Sequence, residues 1–357
     1  MAPTMRAFVM HGIGEVGVME KPIPRPGPND AIIRTTAALI CTSDTHTVAG
    51  AIGPRKDLTL GHEAVGVIHE LGEAAAASGL FKRGQRVAVN AITPCYACVN
   101  CQRGFSSQCG DMLGGWKFAN QKDGNMAEYF HVNNAVANLA PIPEGLTDEQ
   151  AAYCCDMLST GFVAAEHGNI PIGGTAVVFG EGPIGMMATV GARLLGAAMV
   201  IGVESKPNRA VLAKRYGADL IIDYTKEDPV AAILKATGGK GVDTAIEALG
   251  SRETFAACVK ATRPGGTISN VGYHGDGDTV PIPRLEWGVG MSDKTIRTAL
   301  CPGGSERMAR LMNLIARGRV DPLPMTTHTF KFAEIERAFR MMQTKEGGMI
   351  KPLITFT

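Results

Sequence analysis

Four cysteines lie close together in the segment TPCYACVNCQRGFSSQCG, and their type and spacing could hold a metal ion. They are Cys95, Cys98, Cys101 and Cys109, in the pattern C-x2-C-x2-C-x7-C. This spacing lets one loop surround a single zinc ion, and four thiolates complete a tetrahedral shell that leaves no position for a substrate. The pattern therefore predicts a structural zinc site, with four free or oxidised cysteines as the alternative.

Three other short segments carry thiol, imidazole, carboxyl and hydroxyl groups that could do catalytic chemistry. The side chains are Cys41, Ser43, Asp44 and His46 in ICTSDTH, His62 and Glu63 in LGHEAVG, and Cys154, Cys155 and Asp156 in YCCDMLSTGF. Together they offer the S, N and O ligands that suit zinc. No local spacing unites the three segments, so each residue could also be an ordinary buried cysteine, turn histidine or loop aspartate.

A glycine-rich turn with the pattern G-x-G-x-x-G follows the apolar strand TAVVFG and opens the helical stretch PIGMMATVGARLLGA. In such a turn Gly180 permits the tight bend, Gly182 lets the backbone approach a pyrophosphate, and Gly185 lets the helix pack on the strand. The helix N-terminus then offers free N–H groups to the phosphates. With Glu204 ending the next strand, this context predicts a dinucleotide site, and a merely tight turn is the alternative. Glu181, between the first two glycines, is expected to point to solvent.

Glu204 also bears on the choice of cofactor. A carboxylate at this position can accept hydrogen bonds from a free ribose hydroxyl and repels a 2′-phosphate, which favours NAD. Lys206 and Arg209 follow closely and could instead serve the phosphate of NADP, or they could form the solvated start of a helix. The sequence therefore predicts NAD, with NADP as the alternative.

The order of the predicted elements indicates the fold class. The first part of the chain reads as short strands between turns: MRAFVM, DAIIRTTAAL, AVGVIHELG and RVAVN. From about residue 160, strands alternate with helices, as in MVIGVES, PNRAVLAKRYGA and DLIIDY, which predicts an α/β fold with a doubly wound parallel sheet. A chain of 357 residues is too long for one ordinary core, so we expect two domains.

Charge and cysteine content narrow the class of function. The formal net charge of +1 gives no indication of a nucleic acid or membrane partner. No apolar run is long enough to span a bilayer or to act as a signal peptide, so we expect a cytoplasmic protein. The cytosol keeps thiols reduced, and the odd total of nine cysteines argues against full pairing. A metal site is therefore the preferred interpretation of the cysteine cluster.

Specific stretches along nearly the whole chain resemble the zinc-dependent medium-chain alcohol dehydrogenases, and among them the tetrameric bacterial secondary-alcohol dehydrogenases. These stretches are CTSDTHTVAGAIG, LGHEAVG, GGWKFAN, DMLSTGF, GPIGMMA, PRLEWGVGM and LCPGG. The resemblance implies a mostly β, GroES-like catalytic domain that is split in sequence, residues 1–159 and 301–357. It would surround a Rossmann dinucleotide-binding domain, residues 160–300.

The resemblance assigns two zinc sites per subunit. The catalytic zinc would be held by Cys41, His62 and Asp156, with Glu63 as an exchangeable fourth ligand, and assignment to Cys155 in place of Asp156 is the alternative. Asp156 stands where many relatives have a second cysteine. The four-cysteine cluster would be the structural zinc lobe, which some secondary-alcohol relatives lack.

The resemblance also assigns the proton relay, the substrate pocket and the cofactor contacts. Ser43 would take the alcohol's proton and His46 would pass it outward through a ribose hydroxyl, while Asp44 would either order the zinc site or cap a turn. The pocket would be lined by Ala91, Ile92, Trp116, Met157, Tyr273 and Leu300. The dinucleotide would contact Thr160, Gly180, Gly182, Pro183, Ile184, Gly185, Glu204, Ser205, Lys206 and Tyr224. Met291 would reach the active site of a neighbouring subunit.

The predicted activity is the transfer of a hydride between a secondary alcohol or ketone and NAD(P), by a homotetramer acting on a small molecule. Another zinc-dependent member of the superfamily, with a polyol, threonine or aldehyde substrate, is the first alternative. GGWKFAN and LCPGG argue against it. A binding protein that kept the fold without activity is the second, and the intact set of Cys41, Ser43, His46, His62 and Asp156 argues against that.

Overall fold

The computed structural model describes residues 3–356. The chain divides into two compact units. The first unit combines the residues up to Ser159 with those from Cys301 onward, and the second extends from Thr160 to Leu300.

The first unit begins with short strands and helices. Its strands up to Ser159 are Thr4–Gly12 (β1), Glu15–Pro22 (β2), Ala31–Leu39 (β3), Leu58–Thr59 (β4), Ala64–Leu71 (β5), Arg86–Val89 (β6), Tyr129–Val132 (β7) and Leu139–Pro141 (β8). Its helices are Thr42–Val48 (α1), Glu73–Ala77 (α2), Val99–Gln102 (α3), Ala135–Asn138 (α4) and Asp148–Ala152 (α5), with a 3-10 turn at Ser106–Gln108. Helix Met157–His167 (α6) continues into the second unit.

In the second unit, strands alternate with helices. The strands are Thr175–Phe179 (β9), Met199–Val203 (β10), Leu220–Ile222 (β11), Val242–Glu247 (β12), Thr262–Asn270 (β13) and Thr295–Thr298 (β14). The helices are Pro183–Leu194 (α7), Pro207–Arg215 (α8), Pro229–Ala236 (α9) and Arg252–Ala261 (α10), followed by a 3-10 turn at Gly288–Gly290.

The last segment returns to the first unit. It contains helices Ser305–Ala316 (α11) and Ile335–Thr344 (α12), strands Thr326–Lys331 (β15) and Lys351–Thr355 (β16), and 3-10 turns at Leu323–Met325, Phe332–Glu334 and Glu346–Gly348.

Two sheets form the framework of the first unit. The smaller has the order β2-β1-β4, and the larger has the order β15-β16-β3-β5-β6-β8, with β7 also pairing with β3. Strand β16 runs antiparallel to β3, with Leu353 opposite Leu39. This pairing carries Lys351, at the start of β16, to the end of β3 that precedes Cys41. The larger sheet therefore brings chain ends that are distant in sequence to one place.

The second unit is built on one parallel sheet with the order β11-β10-β9-β12-β13-β14. Alternate residues of β9 enter two different cores. Val177 and Phe179 pack with apolar residues of α9 and α10, whereas Ala176 and Val178 pack with alanines of α7. Both faces of the sheet are thus covered, as in doubly wound folds. The predicted fold class, a doubly wound parallel sheet domain plus a mostly β domain, is confirmed. Among residues 3–356, no helix is both long enough and apolar enough to cross a membrane.

Candidate active site

The first unit gathers Cys41, His62, Glu63 and Asp156 into one cluster. One ligand atom from each lies within 4.8 Å of those of the others. Cys41 precedes helix α1, His62 and Glu63 lie in the turn before β5, and Asp156 directly precedes α6. The imidazole Nε2 of His62 lies 3.6 Å from Asp156 Oδ2 and 3.7 Å from Glu63 Oε1. Residues from three separate segments thus form one S, N and O donor set of the kind that zinc accepts.

Asp44 orders two members of this cluster. Its buried carboxylate accepts a hydrogen bond from the backbone N–H of Cys41 at 2.8 Å, which caps helix α1. Its other oxygen accepts from the backbone N–H of Gly61 at 3.2 Å and lies 3.5 Å from His62 Nδ1. A carboxylate that faces the outer nitrogen of a metal-ligating histidine fixes the orientation of the ring. The turn-capping role suggested by the sequence is therefore observed, and the ordering of a zinc site by the same side chain stays a prediction.

Lys351 is the buried cation of this cluster. Its ammonium donates to Glu63 Oε1 at 2.6 Å, and both side chains are almost fully buried. Burial acts against its charge, but the negative charges of Cys41 and Glu63 raise the pKa of Lys351. Burial likewise raises the pKa of Glu63, against the effect of Lys351. Glu63 Oε2 is buried and has no hydrogen-bond partner, so this oxygen is an unused hydrogen-bond acceptor in the cluster.

In His62 also, burial and the neighbouring charges shift the pKa in opposite directions. Burial acts against the imidazolium form, but the charge of Asp44 and the contacts with Asp156 and Cys41 raise the pKa of His62 well above its usual value. A cluster of this kind attracts a cation, either a proton or a metal ion.

Ser43 and His46 lie three residues apart on helix α1. The Ser43 hydroxyl is 3.3 Å from His62 Nε2, so it borders the cluster directly. His46 is on the same side of the helix one turn later, and it is exposed. The two residues therefore lie in order from the cluster toward the surface of the first unit.

Three of the predicted pocket residues, Ala91, Ile92 and Met157, lie beside or within the segment that carries Asp156. The backbone N–H of Ala91 donates to the carbonyl of Cys155 at 2.9 Å, which places residues 91–92 beside the segment that carries Asp156 and Met157. Ala91, Ile92 and Met157 are buried and apolar. Trp116 is half-buried and follows Gly115, whose position leaves no room for a side chain against Ile92.

Four residues of the second unit, predicted to contact the substrate, the dinucleotide or a neighbouring subunit, lie in separate segments. Thr160 is buried in α6, Tyr273 is exposed in the turn after β13, and Leu300 is half-buried. Met291 is 79% exposed, which suits a side chain that contacts another molecule. Their roles in the pocket and between subunits stay predictions.

The four cysteines of residues 95–109 form a second cluster, in which the ligand atoms again lie within 4.8 Å of one another. Backbone N–H groups point at the sulfurs: those of Cys101 and Gly110 lower the pKa of Cys98 to about 6. Burial and neighbouring thiols raise the pKa of Cys101 to about 12. Four sulfurs this close cannot all ionise without a cation between them, so the donor set fits one zinc ion.

The glycine turn of the second unit has the geometry that a dinucleotide needs. Gly180 has a φ of +90°, which glycine adopts without strain. A Cβ on Gly182 would meet nothing within 4 Å, so the backbone before α7 is open to a ligand. A Cβ on Gly185 would collide with the carbonyl of Gly180, which shows the close packing of helix on turn. Pro183 and Ile184 open α7, and the N–H groups of the first turn after Pro183 have no acceptor within the helix.

Residues after β10 and β11 form the neighbouring part of this site. Glu204 is buried, its Oε1 accepts from the backbone N–H groups of Ser205 and Lys206 at 2.8 and 2.9 Å, and its Oε2 lies 3.6 Å from an Arg209 nitrogen. The Ser205 hydroxyl donates to the hydroxyl of Tyr224 at 3.0 Å. Arg209 is therefore an ion-pair partner of Glu204, rather than only a solvated residue at the start of α8.

The prediction that Glu181 points to solvent is wrong. The side chain is fully buried and accepts a hydrogen bond from the Thr189 hydroxyl at 2.8 Å. The space for it exists because Gly202 has no side chain: a Cβ there would lie 2.7 Å from Glu181 Oε1. Burial, together with the charge of Glu204 and against the Thr189 hydrogen bond, raises the pKa of Glu181 to about 8. The carboxyl is therefore protonated at neutral pH.

Lys351 is a site residue that the sequence interpretation missed. The available sequence signal was a lysine at the start of the apolar strand KPLIT. In the structure, Lys351 and the next three residues of this strand are buried. A buried lysine needs a partner of opposite charge, but the sequence does not show which carboxylate the strand pairing brings to it.

A glycine fingerprint on a doubly wound sheet, together with a metal-type cluster beside a hydroxyl, is typical of metal-dependent dehydrogenases. Residues 183–317 match the family described as zinc-binding dehydrogenase, and residues 27–144 match the alcohol dehydrogenase GroES-like domain. The chain belongs to the zinc-dependent medium-chain alcohol dehydrogenases.

Similar proteins extend over the whole length of the chain. It is 49% identical to the NADP-dependent isopropanol dehydrogenase of Thermoanaerobacter brockii, over 98% of this chain and 99% of that protein. It is 48% identical to a protein of the same name from Entamoeba histolytica, over 98% and 96% of the two chains. Among solved structures, the alcohol dehydrogenase TADH from Thermus sp. ATN1 is similar with a TM-score of 0.89 and 31% identity, over 98% of this chain and 99% of that one.

Proposed function

We propose that this protein is a zinc-dependent secondary-alcohol dehydrogenase, which transfers a hydride between a small secondary alcohol or its ketone and NAD(P). The observation that carries the proposal is the convergence of Cys41, His62, Glu63 and Asp156 beside the Ser43 hydroxyl. A thiolate and a carboxylate with one imidazole neutralise a divalent cation and leave room for a fourth ligand.

In this proposal Cys41, His62 and Asp156 hold the catalytic zinc, and Glu63 is the exchangeable fourth ligand. The unpartnered Glu63 Oε2 supports that role because a buried acceptor without a donor is available to a metal ion. Lys351 holds the other carboxylate oxygen of Glu63. The four-cysteine cluster holds the structural zinc.

The chain's own residues move the proton. Bound zinc supplies Lewis acidity toward an alcohol oxygen, and bound NAD(P) supplies the nicotinamide that takes the hydride. Ser43 Oγ accepts the proton of the substrate hydroxyl and passes its own proton outward, and His46, one turn further along α1 and exposed, releases a proton to water. Asp44 holds the backbone of Cys41 and the ring of His62 in place during this transfer.

A small apolar secondary alcohol is the proposed substrate. Ala91, Ile92 and Met157 present buried apolar side chains beside the cluster, and Trp116 follows on the adjoining loop. These groups offer no cation or carboxylate to a charged or polyhydroxylated substrate. The two relatives at 48–49% identity are named for isopropanol, which supports the same class.

The test is a panel of initial rates with 2-propanol, 1-propanol, a polyol, threonine and an aldehyde, each with NAD and with NADP. The proposal predicts that 2-propanol has the higher kcat/KM with either cofactor. A higher kcat/KM for 1-propanol, or turnover only with a polyol, threonine or an aldehyde, would place the chain in another branch of the family.

The same panel decides the cofactor. NAD is favoured because a carboxylate at Glu204, just after β10, would repel a 2′-phosphate bound there. The relatives do not support this preference, since the two named above are NADP-dependent by name. The variant Glu204→Gln removes the charge and keeps the shape, so the ratio of kcat/KM for NADP to that for NAD should rise. An unchanged ratio would show that Glu204 does not select the cofactor.

A homotetramer is also proposed by resemblance, and a cytoplasmic location is proposed from the lack of a long apolar run in the sequence. Light scattering on the purified protein should give about four times the 37.6 kDa of one chain. A monomer mass would refute the assembly.

A further inference from the structure

In the parallel sheet of the second unit, the strand order reverses between β9 and β12. These two strands are neighbours in the sheet, although β10 and β11 separate them in sequence. Ligands of such sheets bind outside the carboxyl ends of the strands at this switch point. The turn after β9 carries the glycine fingerprint, and residues 248–250 form the turn after β12. A Cβ on Gly180 would lie 3.3 Å from Leu249 Cβ, so the two turns are in contact.

Glu247, the last residue of β12, holds the second turn with its carboxylate. The side chain is fully buried. Oε1 accepts from the backbone N–H groups of Leu249 at 3.1 Å and Gly250 at 2.8 Å, and from the Thr254 hydroxyl at 2.7 Å. Oε2 also accepts from Gly250 N–H, at 3.0 Å. A buried carboxylate with this number of donors is a strong local constraint on the backbone.

His274 connects the Glu247 carboxylate to a third turn, residues 271–274, which follows β13. Its Nε2 lies 3.7 Å from Glu247 Oε2 and 2.8 Å from Asn270 Oδ1. The Asn270 amide donates to the Gly272 carbonyl at 3.0 Å, and a side chain on Gly272 would collide with the Glu247 carboxylate. The ring of His274 also packs edge-on against Phe255, 5.8 Å between centroids. The turns after β12 and β13 are therefore one connected structure.

These two turns present large exposed side chains where a ligand would lie. Leu249 is 60% exposed and Tyr273 is 51% exposed. The glycine fingerprint follows strand β9 and Glu204 follows strand β10, so both lie on one side of the switch point. The two nucleotide-binding halves of this fold lie on opposite sides of that point. The turns after β12 and β13 therefore adjoin the half of the dinucleotide that carries the nicotinamide.

We propose that Glu247 and His274 are positioning residues for the dinucleotide, because they fix the turns after β12 and β13 as one rigid wall of the cofactor crevice. This inference rests on the proposed dinucleotide-dependent function. Neither residue touches the reacting atoms in this account. Both act through the backbone that they hold.

The test uses the full-length protein with Glu247→Gln and His274→Phe. A glutamine amide keeps the shape but cannot accept two sets of N–H donors, and phenylalanine keeps the packing on Phe255 but loses the bond to Asn270. For each variant we expect the dinucleotide Kd, measured by titration calorimetry with NAD and NADP, to rise about tenfold. In the ligand-free protein, amides of residues 248–254 and 270–275 should exchange hydrogen faster than in wild type.

Asp243 provides a matched control at the opposite end of β12. Its carboxylate accepts from Arg263 Nε at 2.6 Å and from Thr175 N–H at 2.8 Å, so Asp243→Asn also breaks a strand-end network. We expect it to lower the melting temperature and to leave the dinucleotide Kd at the wild-type value.

Wild-type Kd in His274→Phe, or an equal rise in Kd in the Asp243→Asn control, would overturn the inference. If Glu247→Gln does not fold, His274→Phe alone decides. A wild-type protein that binds neither dinucleotide would refute the proposed function itself, which is a separate outcome.

Discussion

At the scale of single residues, the buried position of Glu181 depends on the absence of a side chain at Gly202. Its carboxyl fills the space above Gly202 and bonds to Thr189, which is on the helix that the fingerprint opens. The sequence shows a charged residue between two glycines, where a solvent-exposed position is the natural expectation. Only the packing of β10 against the turn shows that the space next to Gly202 is free. A sequence pattern does not contain that information.

Glu181 predicts a dependence of stability on pH. Its pKa is raised to about 8 in the folded protein, whereas an unfolded chain has the ordinary value of 4.5. Between pH 4.5 and about pH 8 the folded state binds more protons than the unfolded state. The stabilising contribution of the protonated Glu181 carboxyl is therefore complete below pH 4.5 and is lost as the pH rises to about 8. The total change is at most about 5 kcal/mol. Glu181→Gln should remove this loss, seen as a smaller decrease in urea midpoint between pH 5 and pH 8.5.

Glu227→Gln is the control for that experiment, because Glu227 is an exposed carboxyl in the same unit. Its pH profile should follow wild type. If the profile of Glu181→Gln also followed wild type, the buried protonated acid would be disproved.

Ser43 predicts a loss of rate without a loss of metal. Ser43→Ala removes the hydroxyl that lies 3.3 Å from His62 Nε2 and leaves the proposed ligands intact. We expect kcat for 2-propanol to fall about 100-fold or more, as for loss of a general acid–base group. Zinc content, measured by atomic emission, should stay the same.

Thr45 supplies the comparison on the same helix, since its hydroxyl only donates to the backbone carbonyl of Thr42. Thr45→Ala should keep nearly the wild-type kcat. Wild-type turnover in Ser43→Ala would exclude the proposed proton relay.

At the scale of elements, the loop of residues 95–109 is defined by its cysteines rather than by regular structure. A 3-10 turn and a helix of four residues are the secondary structure within it. Such a loop has little apolar core of its own, so we infer that the metal ion stabilises it. The sequence predicted this cluster directly, because its ligands are adjacent along the chain.

Cys98→Ser tests this loop. A serine hydroxyl does not ionise in place of the thiolate, so the variant should bind one zinc ion per subunit instead of the two expected from the two clusters. Its melting temperature should also fall. The exposed Val99 lies in the same loop, and Val99→Ala should keep both ions. Two ions in Cys98→Ser would refute the structural zinc site.

The cluster of Cys41, His62, Glu63 and Asp156 is different, because the packing of secondary-structure elements, and not sequence spacing, brings it together. The sequence predicted strands over MRAFVM, AVGVIHELG and RVAVN, and these are strands β1, β5 and β6. It did not predict that β16 pairs with β3, and therefore it could not place Lys351 beside Glu63. Local periodicity defines an element, whereas its partners depend on tertiary packing.

At the scale of the whole molecule, the alternation of strands and helices was sufficient to predict the doubly wound sheet of the second unit. The glycine fingerprint was recognisable because it lies at a fixed place in that alternation, between β9 and α7. The ligand set of Cys41, His62, Glu63 and Asp156 had no such local signature and depended on resemblance. The structure brings its members together, while their role as zinc ligands stays a prediction.

The central claim is that zinc at this cluster makes the protein a secondary-alcohol dehydrogenase. The most direct measurement follows the formation of reduced dinucleotide from 2-propanol before chelation, after complete removal of metal, and after zinc is restored. We expect activity that is lost with the metal and recovered with zinc. An unchanged rate in protein shown to be free of metal, or no oxidation of 2-propanol by the zinc-loaded protein with either cofactor, would contradict it.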